Sequence, residues 1–463
     1  MRSWSRVLGA AFVAILAITS ISQAAEPPES WKGQYVYPKK PLNKIEFLAE
    51  PEGKPLLYEQ RECVRLQVRE DRAGWLSTFN VMHGNAQGWS RKEDFVLERD
   101  GRAYFTGLIE ANPLDPYLRY VRGSILTSRG DVEGALKDLD ESIRLDPADS
   151  KGFLIRGECW AAKKEYDRAI RDETDAIRLC PTCTIAFINR GSSWAAKGEF
   201  DRALQDYNQA LLLVPSQARA YVYRSLVWHA KKDDDRAFKD FANAMRLQPD
   251  MAEAYQYRAI VWRNRGDYDQ AMQDIDQAIR LAPCNNGLYI QRAMLWARRR
   301  DYDQAIQDLN EAMRCNPDNA TDALNSRGTC WIAKGTFDRA MQDFNEVLRI
   351  NSQNLEALRN RGKLLAHRGN FEQAIQDYTT AIKLDPQPSL SYTLRGIAYT
   401  ALVDYDRALA DFDEAIRLDP KCAAAFKGRA QVWHNKRDFT RSLKDLDEAT
   451  RLEQASRAAP PKK

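Results

Sequence analysis

A period of about 34 residues runs through most of this 463-residue chain and restricts the fold more than any other feature. A small residue that directly follows an arginine recurs ten times: Gly123, Gly157, Gly191, Ser225, Ala259, Ala293, Gly328, Gly362, Gly396 and Ala430. The steps are equal except that from Ala293 to Gly328, which is longer by one position in a loop between two repeats. An alanine follows the small residue at a fixed spacing in nine repeats, as Ala135 follows Gly123, and a proline in eight, as Pro147 does. A unit repeated at this period builds a stack in which each repeat packs on its neighbours.

Each repeat is expected to be an antiparallel pair of helices. In the fifth repeat, Tyr255, Ala259 and Trp262 are spaced four and three apart, which predicts one face of a first helix. Gly266 is expected to end that helix, and Asp267 to cap the second one. Helices of about 14 residues are marginally stable alone, so each pair must bury its remaining apolar face on the next pair.

The order of aromatic, small and aromatic residues, followed by Gly-Asp-Tyr, alanine and a terminal proline, resembles that of tetratricopeptide repeats. The resemblance covers residues 116–456 as ten repeats, and residues 101–115 are expected to form a capping helix. It implies a mainly α fold, a right-handed solenoid of helical hairpins whose concave groove binds peptides or protein segments. It implies no catalytic chemistry.

Two features depart from that family pattern. Arginine precedes the small residue, and aspartate follows it at a constant spacing, in all ten repeats; Arg258 with Asp274 and Arg292 with Asp308 are examples. A ligand-binding ladder of charges and a structural ion pair, within one repeat or between neighbours, are both consistent with this pattern. The structural role is favoured because a feature identical in every repeat supports the scaffold. Tryptophan follows the small residue by three in seven repeats and is expected to pack in the core.

In the resembling family, positions two, five, nine and twelve of each first helix face the groove. Here these positions include the following polar residues: Arg219, His229, Gln256, Arg263, Arg359, Lys363, Lys427, Gln431 and His434. A basic C-terminal third predicts binding of an acidic or C-terminal peptide, and solvated groove charges are the alternative. The outer face of the tenth repeat is a candidate homodimer site.

Residues 30–100 differ from the repeats, because short alternating segments are broken by Gly, Asn and Pro. The ending GWSRKEDFV resembles that of bacterial SH3-like domains. We expect a small SH3-like β-barrel here, which either binds peptides or cell-wall polymer or only packs on the end of the repeats.

The segment 1–25 is predicted to be a secretory signal peptide. Arg2 and Arg6 precede a short apolar run, and Ser22 and Ala24 suit a cleavage site. This predicts a periplasmic or cell-envelope location, with an uncleaved anchor as the alternative. No later segment is apolar enough for a membrane span, and the tail 457–463 is expected to be disordered.

Little in the chain points to chemistry. Without the two leader arginines, 67 basic residues face 65 acidic ones, a balance that does not favour nucleic acid as a partner. Cys180 and Cys183 have redox-motif spacing, but they fall in a turn between repeats. We expect no metal or cofactor site. The sequence predicts a non-enzymatic, exported interaction scaffold; the alternatives are a wall-polymer-binding envelope protein and a thiol-redox protein.

Overall fold

A computed structural model describes residues 34–39, 66–72, 75–80 and 85–458. The predicted signal peptide 1–25 and the last residues of the predicted tail lie outside the described residues. The chain divides between Pro283 and Cys284 into two compact parts, called here the N-terminal body and the C-terminal body. The described part is mainly helical, with 21 α-helices.

The N-terminal body begins with a five-stranded antiparallel sheet in the order β4-β3-β2-β1-β5. The strands are β1 (Tyr35–Pro38), β2 (Leu66–Arg72), β3 (Trp75–Asn80), β4 (Asn85–Arg91) and β5 (Phe95–Leu97), with a 3-10 helix at Lys92–Asp94 before β5. Strands β4 and β5 form the two edges, and no pairing joins them within the described residues. The closed barrel expected for residues 30–100 is therefore not seen there.

The sheet is attached to the helices through one of its faces. Val36 packs with the sheet's own apolar side chains, whereas the next residue, Tyr37, packs among the first helices. Alternate residues of a strand point to opposite faces, so β1 serves both cores. The hydroxyl of Tyr37 donates to Ser128 Oγ at 3.3 Å, and that of Tyr117 donates to the carbonyl oxygen of Pro38 at 3.3 Å. The sheet thus covers the first end of the repeats.

Helix α1 (Glu98–Ala111) follows β5 directly and begins slightly before the predicted capping helix. Five repeats complete the N-terminal body: α2 (Pro116–Ser128) with α3 (Val132–Leu145), α4 (Ser150–Ala162) with α5 (Tyr166–Leu179), α6 (Thr184–Lys197) with α7 (Phe200–Leu213), α8 (Ala218–Ala230) with α9 (Asp234–Leu247), and α10 (Ala252–Arg265) with α11 (Tyr268–Leu281).

The C-terminal body holds the other five repeats: α12 (Asn286–Arg298) with α13 (Tyr302–Cys315), α14 (Thr321–Ala333) with α15 (Phe337–Ile350), α16 (Leu355–His367) with α17 (Phe371–Leu384), α18 (Ser389–Ala401) with α19 (Tyr405–Leu418), and α20 (Ala423–Asn435) with α21 (Phe439–Ala458). A 3-10 helix at Pro317–Asn319 lies in the loop that carries the extra residue of the period.

The small residue of each first helix admits a large side chain from the second helix. An added Cβ at Gly191 would lie 2.9 Å from the ring of Tyr207, and one at Gly328 would lie 2.6 Å from the ring of Phe344. Both rings are fully buried. Close helix contact at the small position is therefore what lets these aromatic side chains fill the core of the pair.

The turn between the two helices adopts a positive φ in every repeat. Five repeats use glycine there, including Gly266 with φ 99°, which ends α10 as expected. The other five use larger residues: Lys164, Lys232, Arg300, Val403 and Arg437. The expected cap by Asp267 is wrong, since its side chain makes no capping hydrogen bond and lies 3.4 Å from Arg265 Nε.

Within the part of the chain that the structure describes, no helix combines the length and the apolar character needed to cross a bilayer.

Candidate functional site

The first helices of consecutive repeats contact one another within each body. In the N-terminal body the contacts run from α2 through α4, α6 and α8 to α10, and in the C-terminal body from α12 through α14, α16 and α18 to α20. We call these two surfaces the N-terminal wall and the C-terminal wall. They carry the polar positions that the sequence assigns to a groove.

The arginine and aspartate common to all repeats form a bidentate pair within each repeat. Arginine Nε and Nη2 donate to the two carboxylate oxygens at 2.6–3.0 Å in all ten cases. The Arg258–Asp274 and Arg292–Asp308 pairs are of this kind, and both aspartates are buried. Paired, planar hydrogen bonds of this geometry are strong and directional. The arginine therefore joins the first helix to the second.

The remaining guanidinium nitrogen reaches back to the preceding helix pair or, in the first repeat, to α1. In eight repeats Nη1 donates to a side-chain oxygen there, for example Arg156 to Asp140 at 2.8 Å and Arg224 to Asn208 at 2.7 Å. In the fifth repeat the residue at the equivalent acceptor position is Ala242. In these eight repeats the arginine thus couples neighbours as well as the helices of one pair, and its Nε, Nη1 and Nη2 groups all donate within the protein.

Four predicted groove residues lie on the N-terminal wall. His229 is buried and held between two repeats, with Nδ1 2.5 Å from Asp234 Oδ1 and Nε2 3.3 Å from Asn264 Nδ2. Arg219 is half-buried on α8, and Gln256 and Arg263 are half-buried on α10. The wall therefore brings Arg219, Gln256 and Arg263 onto one surface, while the ring of His229 serves to link repeats.

Two carboxyl groups of the second repeat were missed by the sequence reasoning, Glu158 on the wall and Glu173 in the interior of the helix pair. Glu158 on α4 accepts a hydrogen bond from Asn189 Nδ2 at 2.9 Å. Glu173 on α5 is 1% exposed and accepts one from Ser193 Oγ at 3.0 Å. Its other oxygen, Oε2, has no hydrogen-bond partner among the described residues.

Burial dominates the ionisation of both acids. It raises the pKa of Glu158 to about 7, although the hydrogen bond from Asn189 opposes the shift. Burial also raises the pKa of Glu173 to about 8, where the charge of Glu158 adds to the effect and Ser193 opposes it. Arg219 lowers the pKa of Glu158 electrostatically. The second repeat therefore holds two acids whose pKa values burial raises toward neutral pH or above it.

The C-terminal wall carries the other five predicted residues, and most have partners within the body. Arg359 Nε donates to Ser391 Oγ at 2.8 Å, and its Nη2 pairs with Asp385. Lys427 Nζ lies 2.6 Å from Glu453 Oε1. These internal carboxylates would compete with an acidic ligand for the two cations.

The last three of the five are less engaged with charged groups. Lys363 is exposed on α16. Gln431 Nε2 donates to Asn435 Oδ1 at 2.9 Å, and the ring of His434 lies 5.4 Å from that of Phe439. Lys363 is therefore the exposed cation that the C-terminal wall offers most directly.

Sequence models of the tetratricopeptide repeat match most of the chain. The matched residues are 99–150, 129–182, 189–246, 252–283, 290–354, 355–388 and 393–460. The chain belongs to the tetratricopeptide repeat (TPR) family. The models do not extend to the five-stranded sheet, so its expected SH3-like identity is not shown.

A comparison with curated protein sequences gives no match. Among solved structures, yeast Tom70 is similar at 17% identity over 77% of this chain and 88% of that chain, with a TM-score of 0.45. The Cut9–Hcn1 hetero-tetramer of APC/C is similar at 15% identity over 77% and 84%, with a TM-score of 0.43. The MamA RS-1 ArsTM double mutant is similar at 19% identity over 37% and 96%, with a TM-score of 0.34.

The tryptophans of these TPRs pack against the core, as expected, but at its edge. They are half-buried, and arginines of the second helix cover several of them, as Arg236 does for Trp228 at 4.0 Å from the ring centroid and Arg168 for Trp160 at 4.6 Å. The indoles thus lie at the edge of the core in cation–π contacts, which favours a packing role over a ligand site.

One sequence signal could have identified Glu173. It stands directly after the common aspartate of its repeat, and the other nine TPRs have an apolar or aromatic residue at that position: Leu139, Tyr207, Phe241, Ile275, Leu309, Phe344, Tyr378, Phe412 and Leu446. An acid at a core position is informative, because buried polar groups usually need a partner.

The cysteines of the predicted redox motif and two further cysteines of the described residues lie in a turn or in the core. Cys180 follows the last residue of α5 and Cys183 precedes α6, so the motif lies in a turn between helices, and Cys183 is buried. Burial raises the pKa of Cys159 to about 12 and that of Cys330 to about 11, which disfavours the reactive thiolate. In the described residues, no three His, Cys, Asp or Glu side chains are grouped to hold a metal.

Proposed function

We propose that this TPR protein is an exported, non-enzymatic scaffold that binds peptide or protein segments along its first-helix walls. The observation that carries the proposal is that each repeat has one set of residues that holds the fold together and another set that faces outward from the wall. The common arginine and aspartate form hydrogen bonds with each other inside the helix pair. The residue types at the wall positions, by contrast, differ from repeat to repeat. Residues that vary on an otherwise regular surface are the ones that can select a partner.

The charges on the walls support recognition of polar segments. The N-terminal wall presents Glu158, Arg219 and Gln256, and the C-terminal wall presents the exposed Lys363. An extended surface with separated charges suits a flexible protein segment better than a compact small molecule, which needs an enclosed apolar pocket.

Site-specific photo-crosslinking in native envelopes tests this proposal. A photoreactive amino acid replaces Gln256 or Lys363 on the walls, and Gln270 or Gln373 as matched controls. The control residues are exposed on the second helices α11 and α17. Partner proteins should crosslink from the wall positions and not from the controls.

Equal crosslinking from wall and control positions would contradict the proposal. So would a partner that crosslinks only from the second helices, since this would place recognition on the opposite surface of the repeats. Mass spectrometry of the crosslinked bands would identify the partner in the favourable case.

Two further contacts are part of the proposal. The N-terminal sheet, as an SH3-like module, would hold cell-wall polymer; its attachment through Tyr37 would fix it firmly to the first TPR. The last TPR would support a homodimer, since α21 exposes Phe439 and Leu443. Cosedimentation of the whole chain with purified peptidoglycan tests the first contact, and its retention in the supernatant would exclude it. Sedimentation equilibrium of the chain alone tests the second.

A further inference from the structure

The sixth TPR has a cysteine where the other nine have leucine or isoleucine near the end of the second helix. The residues at this position elsewhere are Leu145, Leu179, Leu213, Leu247, Leu281, Ile350, Leu384, Leu418 and Leu452. In the sixth TPR it is Cys315, the last residue of α13. The same TPR carries Cys284 just before α12, which begins at Asn286. Both cysteines of this TPR therefore lie at the end of a helix or directly before one.

The fold brings these two cysteines together. In an antiparallel helix pair, the start of the first helix lies beside the end of the second. The thiol of Cys284 accordingly lies beside that of Cys315, within reach of a hydrogen bond between the two side chains. Tyr289, near the start of α12, interacts electrostatically with Cys315, and Arg314 on α13 interacts with both thiols. These four side chains form one cluster at this end of the helix pair.

The two thiols differ in their access to solvent. Cys284 is exposed, whereas Cys315 is buried, with 8% of its surface exposed. Burial and the neighbouring Cys284 raise the pKa of the Cys315 thiol, and Arg314 opposes the shift. Because the thiolate is the reactive form, an oxidant in solution reaches Cys284 first, and Cys315 is placed to react second.

We propose that Cys284 and Cys315 form a redox site, a dithiol that thiol–disulfide exchange converts into a disulfide at one end of the sixth TPR. The oxidant is a molecule with a disulfide bond, RSSR. The Cys284 thiolate attacks one sulfur of RSSR, which forms a mixed disulfide and releases one RS⁻. The Cys315 thiolate then attacks Cys284 Sγ, which forms the Cys284–Cys315 bond and releases the second RS⁻. The two thiol protons pass to the two leaving thiolates, so one RSSR becomes two RSH.

The bond fixes the sixth TPR at the end where its two helices meet. A disulfide requires sulfur atoms about 2.05 Å apart. Cys284 lies in the connecting segment, so the adjustment falls there rather than on α12 or α13. A cross-link that closes a loop of about 30 residues restricts the unfolded chain and favours the folded form by a factor on the order of 10². This inference goes beyond the proposed function and does not depend on it, because it concerns the chemistry of one TPR.

Peptide mapping of the whole purified chain tests the proposal. The protein is equilibrated with oxidised or reduced glutathione, quenched with acid, alkylated in denaturant and digested with trypsin. Digestion places the two cysteines in separate peptides, 281–292 and 315–327, each with one cysteine. After oxidation these peptides should be recovered as one disulfide-linked pair, and after reduction as two alkylated peptides.

Three variants separate the roles of the two thiols. Cys315→Leu introduces the residue that most other TPRs have there, and it should leave Cys284 as a mixed disulfide with glutathione. Cys284→Ser removes the exposed thiol, so the buried Cys315 should take up glutathione at least about tenfold more slowly than Cys284 does in Cys315→Leu. Cys180→Ser, a matched control in another turn between helices, should form the linked pair as the native chain does.

Hydrogen exchange shows whether the bond acts on the fold. Oxidation should slow amide exchange in α12 and α13 at least about tenfold in the native protein and leave exchange in Cys315→Leu unchanged. Recovery of Cys284 mainly as a glutathione adduct in the native chain, or of both cysteines as alkylated thiols after oxidation, would overturn the inference. Formation of the linked pair without crosslinking from the walls would refute the scaffold function and leave the redox site intact.

Discussion

Replacing Glu173 with glutamine should remove a stability loss that builds up in the native protein as the pH rises from 4.5 to about 8. The carboxyl group is 1% exposed, and burial raises its pKa from an ordinary 4.5 to about 8. In the unfolded chain it ionises near pH 4.5, whereas in the folded protein it keeps its proton up to about pH 8. The free energy of unfolding should therefore be unaffected by this group below pH 4.5, decrease between pH 4.5 and pH 8, and level off above that.

The size of the effect follows from the same values. A tenfold change in an ionisation constant corresponds to about 1.4 kcal/mol at 25 °C, so a pKa of about 8 in place of 4.5 amounts to about 5 kcal/mol at high pH. At pH 7 the loss is about 3 kcal/mol. Glutamine has the shape of the protonated acid and can still accept the hydrogen bond from Ser193. Glu173→Gln should match the native protein at pH 4.5 and exceed its stability at pH 9.

Urea unfolding followed by circular dichroism at pH 4.5, 7 and 9 measures this difference. Repeat proteins can unfold in parts, so amide hydrogen exchange in α4 and α5 should accompany it and show the protection change locally. Glu372→Gln, at an exposed position, serves as the control and should follow the native curve. Parallel pH profiles of the native protein and Glu173→Gln would refute the reasoning, because the buried acid would then ionise like an exposed one.

Three further substitutions and one control test the pairing, turns and packing of the helices. Arg258→Ala leaves the buried carboxylate of Asp274 without its bidentate partner and should lower stability by about 3 kcal/mol, read as a lower melting temperature; an unchanged melt would contradict the pairing. Val403 has a left-handed φ of 63°, which is unfavourable for a β-branched residue. Val403→Gly should therefore stabilise the chain by about 1 kcal/mol in urea unfolding. A loss of stability would show that contacts of the valine side chain outweigh the backbone strain. Gly328→Ala places a Cβ 2.6 Å from an aromatic ring and should cost about 1–3 kcal/mol, whereas Gly107→Ala meets no atom within 4 Å and should not destabilise α1.

The helical stack was predictable because its signals lie within a single repeat. The small residue, the alanine twelve positions later and the terminal proline define two helices and the contact between them without any knowledge of neighbours. The positive φ at Gly266 is equally local. The same reasoning failed at Asp267, because two side-chain arrangements were open to it locally and contact with Arg265 was the one adopted.

Contacts between repeats were not predictable in this way. Glu158 accepts a hydrogen bond from Asn189, which is 31 residues away in the sequence, and Arg359 donates one to Asp385, which is 26 residues away. No periodic pattern in the sequence predicts these partners. The family resemblance assigns the predicted groove positions to the first helices, but their partners decide which charges remain for a ligand. The hypothesis of an acidic peptide at the C-terminal wall depends on Lys363 more than on Arg359 for this reason.

In eight of the ten TPRs the common arginine bonds both its own second helix and the preceding helices, and this separates folding from recognition. A first helix held by Arg156 to its own second helix and to the preceding repeat is rigid before any partner arrives. A rigid surface loses little conformational entropy on binding, so affinity can come from a few side chains. Substitutions at exposed wall positions such as Lys363 can therefore alter which segment is recognised while the architecture is kept. A protein built like this can acquire new ligands by small steps, each of which leaves a folded molecule.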